Sequence, residues 1–224
     1  WVKFGDADAM RSALAAGDVA AVILEPVQST AGCRVHPKAV IEAINEGAAK
    51  HGTLVIADEV QGGFLRCIRN WSHEAIGLRA DLITCAKGLA AGFPAGALIA
   101  RKSLGEPKGG LFGSTFGGGP LACAAIKAVC EAVSRPGFRE HVEAVSRVFD
   151  SCANIKGVSE VQGIGMLRGI RLDRPSGPVR DSLLKRGYLA GGAHDPNVVR
   201  LLPPLTLSMA QAQGFAGALR ETLG

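Results

Sequence analysis

The chain has 224 residues, of which 47% are hydrophobic and 20% charged, and it carries a formal charge of +5. This is enough chain for one large domain or two moderate ones, and the balance is that of a globular protein with a real core. Basic residues are scattered, aromatics reach only 5%, and no apolar run approaches the roughly 18 residues of a membrane span, so neither a nucleic-acid nor a membrane partner is expected.

Asp6 to Ala16 reads as a short amphipathic helix stopped by Gly17, and Ala20 to Leu24 as a strand buried on both faces. That strand runs out at Glu25-Pro26, which presents a carboxylate at its carboxyl end. A loop rich in Ser, Thr, Gly and Pro leads to His36, and Pro37 opens a helix to Lys50 that stops at His51-Gly52. Leu54 to Ala57 is the next strand and ends in Asp58 and Glu59. After a glycine-containing loop, Gly62 to Asn70, the stretch Trp71 to Ile76 is helical, and the strand from Asp81 delivers Lys87 onto a loop of Gly, Ala and Pro. Gly96 to Ala100 is a further short strand, Gly110 to Gly119 a glycine-rich loop, and Pro120 to Val133 a helix. Alternation at this spacing predicts an α/β fold, a mostly parallel sheet with helices on both faces, over residues 1–134.

The pattern changes near Arg135-Pro136-Gly137, and residues 135–224 read as a smaller α+β domain. It holds a helix from Phe138 to Cys152, two strands between Val158 and Leu172, and a helix from Pro178 to Arg186. Short strands follow near Tyr188 and from Val198 to Leu202, then a closing helix from Met209. Six cysteines (Cys33, Cys67, Cys85, Cys123, Cys130 and Cys152) have no C-x-x-C spacing and read as reduced core thiols of a cytoplasmic protein, without disulfide or zinc. The chain starts at Trp1, shortly before a core strand and without a signal peptide, as the later part of a longer protein would.

Ligands of parallel sheets gather at the carboxyl ends of the strands, where Glu25, Asp58 and Lys87 all stand. Small residues around Lys87 leave room for a flat group, and partial desolvation would make its amine a readier nucleophile, so Lys87 is a candidate anchor for an aldehyde cofactor. Its rival is a lysine that merely ends a strand. LVIADEV also has the look of the magnesium-holding strand of a P-loop ATPase, but the closest phosphate loop, GALIARKS, has Arg101 where the second glycine must be. Asp58 suits instead a heterocyclic nitrogen, or simply a hydrogen bond to its own loop. The stretch FGSTFGGG, Phe112 to Gly119, precedes a helix and offers backbone N–H groups with Ser114 and Thr115 to a phosphate. Arg200, inside the apolar run VVRLLPPL, needs a partner: a substrate carboxylate or an internal salt bridge. The five histidines, His36, His51, His73, His141 and His194, have no ligand spacing and read as surface or cap residues; no metal site is expected.

Five segments in order, ILEPVQ, IADEVQGGF, CAKGLAAGFPAGA, GSTFGGGPLACAA and VVRLLPPL, resemble the class III aminotransferases of pyridoxal-phosphate fold type I, and among them the acetylornithine aminotransferases. The resemblance implies pyridoxal 5'-phosphate as cofactor and a reaction that moves the terminal amino group of an acetylornithine-like donor to 2-oxoglutarate, a step of arginine biosynthesis. It implies that Lys87 forms the internal aldimine and shuttles the proton, that Asp58 pairs with the pyridine nitrogen, that Val60 packs on the ring and that Gln61 lies near its hydroxyl. Thr115, with Ser114 beside it, would bind the cofactor phosphate of a neighbouring subunit in a homodimer. Arg200 would hold the α-carboxylate, and Glu25 would be the acid that shields the site and shifts between half-reactions. Another ω-aminotransferase, a glutamate-semialdehyde aminomutase, and a non-catalytic partner subunit with the same fold are the alternatives.

The chain also departs from the family's pattern. After EPVQ the usual G-E-G-G is Ser29-Thr30-Ala31-Gly32, after DEVQ the usual G-R-T-G is Leu65-Arg66-Cys67-Ile68, and Gly119 stands where asparagine is usual. The family's main phosphate loop and the aromatic residue that stacks on the ring do not occur from Trp1 onward.

Overall fold

The computed structural model describes residues 1–110 and 113–224. In chain order its first half holds α1 (Ala7–Ala15), β1 (Ala21–Leu24), β2 (Val27–Gln28), β3 (Arg34–Val35), α2 (Lys38–His51), β4 (Leu54–Asp58), α3 (Ser72–Ile76), β5 (Leu82–Cys85), β6 (Ala97–Ala100) and α4 (Pro120–Val133). The second half holds α5 (Phe138–Ser151), β7 (Val158–Ile164), β8 (Leu167–Leu172), α6 (Ser176–Lys185), β9 (Gly191–Gly192), β10 (Val198–Leu201) and α7 (Met209–Leu223). Two compact units emerge: Trp1–Pro26, His36–Phe64 and Trp71–Arg135 make the first; Val27–Val35, Leu65–Asn70 and Pro136–Gly224 make the second. Two segments that the sequence pattern assigns to the first domain thus pack with the second.

The first unit is an α/β layer. Its sheet has the order β1-β4-β5-β6, with β1, β4 and β5 parallel and β6 antiparallel to β5. Asp6 caps α1 by accepting from the Ala9 N–H at 2.9 Å, and Gly52, at φ 73°, ends α2 in the left-handed conformation. Strand parity decides the core: Val55 and Ala57 of β4 are buried with Val40, Ile41, Ile44 and Ala48 of α2. The opposite parity is far more open, and Ile23 is 63% exposed. The expectation of a strand buried on both faces therefore fails for β1, because among the described residues only α2 packs extensively on this sheet.

The second unit is an antiparallel sheet, β7-β8-β10-β9, backed by α5, α6 and α7. Phe149, Ile170, Val199, Leu201, Phe215 and Leu219 belong to its continuous core. The β2–β3 hairpin joins this unit, and Val27, Cys33 and Cys67 bury with Leu167. Arg168 is buried too, its guanidinium donating to the carbonyls of Gly165 and Gly163 and pairing with Asp150 at 2.7 Å. Cys33, Cys67, Cys85 and Cys152 are buried, whereas Cys123 and Cys130 lie exposed on α4 rather than in a core. Burial pushes the Cys152 thiol up to about 11, so it is held as the unreactive thiol. No helix among the described residues is long and apolar enough to cross a membrane.

Candidate functional site

In the first unit the three parallel strands end side by side. Glu25 directly follows β1, Asp58 closes β4 in register with Thr84 of β5, and Lys87 lies three residues beyond Thr84. The topology therefore brings Glu25, Asp58 and Lys87 to one sheet edge, as the alternating pattern predicts. Lys87 begins a 3-10 turn, Lys87–Ala90, with φ 47°, a left-handed conformation that a non-glycine residue adopts at some cost. Its side chain is exposed, not desolvated as its apolar flanks imply, because the strand that precedes it is buried only at Cys85.

Asp58 is half-buried, and its Oδ1 accepts from the Val60 N–H at 3.1 Å, which turns the chain out of the strand. Val60 and Gln61 are half-buried in this turn. The neighbouring acid, which the sequence reading passed over, is the better anchored of the two. Glu59 is 1% exposed and receives four hydrogen bonds: from Ser72 N at 2.8 Å, Ser72 Oγ at 2.6 Å, His73 N at 2.7 Å and His73 Nδ1 at 2.9 Å. Burial pushes this carboxyl up, but the bonds from His73 and Ser72 outweigh it and hold the group below its ordinary range. Gly62 makes the approach possible, since a Cβ there would lie 2.3 Å from Ser72 Oγ. The signal was present in strand parity: Val55, Ala57 and Glu59 share one face, so Glu59 stands at a core position where an acid must find donors. It fixes both ends of the loop that carries Val60 and Gln61. His73 is thereby a buried-carboxylate partner and not a surface residue.

Ser114 and Thr115 are exposed in the turn before α4; the Ser114 carbonyl accepts from Gly117 N at 3.2 Å, and Gly118 has φ 68°. Phe112 of the same stretch lies outside the described residues.

Arg200 belongs to the second unit. It pairs with Gly191 across β10–β9, and its Nη1 donates to Ser29 Oγ at 3.2 Å. No carboxylate pairs with it among the described residues, so the internal salt bridge is not formed, and its buried Nε has no hydrogen-bond partner. Arg200 also borders a cavity of about 740 Å³ whose walls include Tyr188, Leu201 and Phe215.

An exposed amine and a half-buried carboxylate at adjacent strand ends match the donor set that a pyridoxal needs, an amine for its aldehyde and an acid for its ring nitrogen. Among the described residues no group of three His, Cys, Asp or Glu is arranged to hold a metal.

A family model described as aminotransferase class-III matches residues 5–223. The chain is 37% identical over 229 residues to acetylornithine aminotransferase 1 of Bradyrhizobium diazoefficiens, covering 98% of this chain and 56% of that protein. It is 35% identical to the acetylornithine aminotransferase of Methanosarcina mazei, again over 56% of that protein. Among solved structures, acetylornithine aminotransferase from Elizabethkingia anophelis superposes with a TM-score of 0.87 at 29% identity, over 99% of this chain and 59% of that one. Ornithine aminotransferase from Toxoplasma gondii, with a TM-score of 0.90 at 24% identity over 99% and 55%, attests the fold. The chain spans a little over half the length of these relatives.

Proposed function

Since this chain belongs to the class-III aminotransferase family, we propose that it is the lysine-bearing part of a pyridoxal-phosphate-dependent transaminase of fold type I. The observation that supports this reading is the placement of Asp58 and Lys87 at the carboxyl ends of neighbouring parallel strands, β4 and β5. When bound, pyridoxal phosphate supplies an aldehyde that condenses with amines and a ring that draws electrons from the substrate carbon. Lys87 Nζ would hold the cofactor covalently and carry the proton between the substrate carbon and the cofactor carbon. Asp58 would keep a proton on the ring nitrogen, Val60 would pack against the ring, and Gln61 would stand near its hydroxyl. Glu59, through Ser72 and His73, holds the loop on which both ride. Ser114 and Thr115 offer hydroxyls to the phosphate of a neighbouring subunit, which makes a homodimer the working form.

In the second unit Arg200 receives the carboxylate of the amino or keto acid, and Glu25 contributes an acid beside β1 in the first. The donor is an acetylornithine-like ω-amino compound, as the names of the relatives suggest, and the acceptor in this proposal is 2-oxoglutarate. The decisive experiment mixes the chain with substoichiometric pyridoxal phosphate, reduces with borohydride and maps the label. Labelling at Lys87, lost in Lys87→Ala, is expected; preferential labelling of another lysine overturns the assignment. A donor screen with 2-oxoglutarate then separates acetylornithine from other ω-amino donors. The exposure of Lys87 favours a second reading, binding without turnover, which gains if label appears but no amino transfer accompanies it.

A further inference from the structure

Resting on Arg200 as the carboxylate receptor, we infer that Ser29 is a positioning residue which commits that guanidinium to offer its Nε–Nη2 edge. A guanidinium can meet a carboxylate end-on, through Nη1 and Nη2, or side-on, through Nε and Nη2. Here Nη1 is engaged, donating to Ser29 Oγ at 3.2 Å, while Nε is buried without a hydrogen-bond partner. A buried donor on a cation that lacks an acceptor is unfavourable, and a carboxylate oxygen arriving side-on relieves it.

Ser29 is well placed for such a task. It is 0% exposed, and its carbonyl accepts from Gly32 N at 3.0 Å and Cys33 N at 3.1 Å, which closes a tight turn. The turn is stitched to the sheet of its own unit: Gln162 Nε2 donates to the Gly32 carbonyl at 2.7 Å, and His194 N to that of Thr30 at 2.9 Å. The hydroxyl is therefore presented from a fixed point. As a neutral acceptor it orients the guanidinium without cancelling its charge, which an acid in the same place would do. Ser29 stands where the family commonly has glycine, which has no side chain to make this bond.

Gly191 completes the arrangement from the opposite strand. A Cβ at this position would lie 3.6 Å from Arg200 Nε and 3.3 Å from the Arg200 carbonyl oxygen, so glycine is what keeps a side chain off the Nε edge.

The test is an NMR titration of the full ¹⁵N-labelled chain with 2-oxoglutarate, following the guanidinium Nε–H signal that disappears in Arg200→Lys. A saturable shift of that signal is expected. Ser29→Ala should weaken binding by about tenfold. Ser29→Cys, which fills the space but accepts poorly, should weaken it likewise and serves if the alanine variant does not fold. Gly191→Ala should weaken binding by covering the edge. Wild-type affinity in Ser29→Cys overturns the role of Ser29, and a shift confined to Nη–H overturns the edge assignment; both leave Arg200 as the receptor. Absence of any saturable shift at Arg200 nitrogens overturns the receptor reading itself, and this inference with it.

Discussion

The two units are stabilised in different ways. The second backs its antiparallel sheet with three helices and closes a continuous apolar core around Phe149, Ile170 and Leu219. The first has a smaller cluster, formed by α2 on one face of its sheet, and leaves Ile23 63%, Leu98 54% and Leu121 72% exposed. What the first unit lacks in apolar core it partly makes up in hydrogen bonds, with Glu59 as the hub. The contrast teaches that the unit with the candidate lysine is the less self-sufficient one.

Replacing a residue from each unit should separate them most sharply. Phe149→Ala should cost about 3–5 kcal/mol in denaturant unfolding, whereas Ile23→Ala should stay within about 0.5 kcal/mol. Equal losses would erase the distinction. Next in size, Glu59→Ala should cost about 2–4 kcal/mol, since it orphans two backbone N–H groups, the Ser72 hydroxyl and His73; a loss below about 0.5 kcal/mol would show that the hub is decorative. The same group predicts a pH dependence. Its folded pKa lies below the ordinary value of 4.5, so its contribution is fully present above that value and is lost as pH falls through the lower folded one. Acid unfolding curves of the native chain should steepen there, and those of Glu59→Ala should not. Smallest of all, Arg186→Ala removes an exposed ion pair with Glu221 and should change stability by less than about 0.5 kcal/mol.

Much of this architecture is legible in the sequence, for physical reasons. Apolar runs of four or five residues, each followed by an acid or a lysine, place Glu25, Asp58 and Lys87 at strand ends, and the glycines after α1 and α2 mark helix stops. The direction of β6 was not legible, because a short apolar strand reads the same way parallel or antiparallel. Nor was the β2–β3 hairpin, whose polar turn looks like loop until Val27 and Cys33 are seen to bury. The burial of Arg168 depends on the carbonyls of Gly163 and Gly165 at the adjacent β7–β8 turn, whose backbone conformation no residue pattern announces. Exposure of Lys87 was hidden for the opposite reason: apolar neighbours in sequence guarantee burial only where other elements cover them.

The way the chain is threaded has a consequence for how such a protein is made and inherited. The second unit takes its residues from Val27–Val35, Leu65–Asn70 and Pro136–Gly224. During synthesis the first of these stretches leaves the ribosome long before the sheet it packs on, β7 to β10, and must wait while β4, β5 and β6 of the first unit are produced. A gene cut after Arg135 would release a fragment with β7 to β10 but without Ser29, Cys33 or Cys67. Neither unit can therefore be shuffled between proteins as one uninterrupted exon-like block; recombination that keeps either intact must carry parts of the other along.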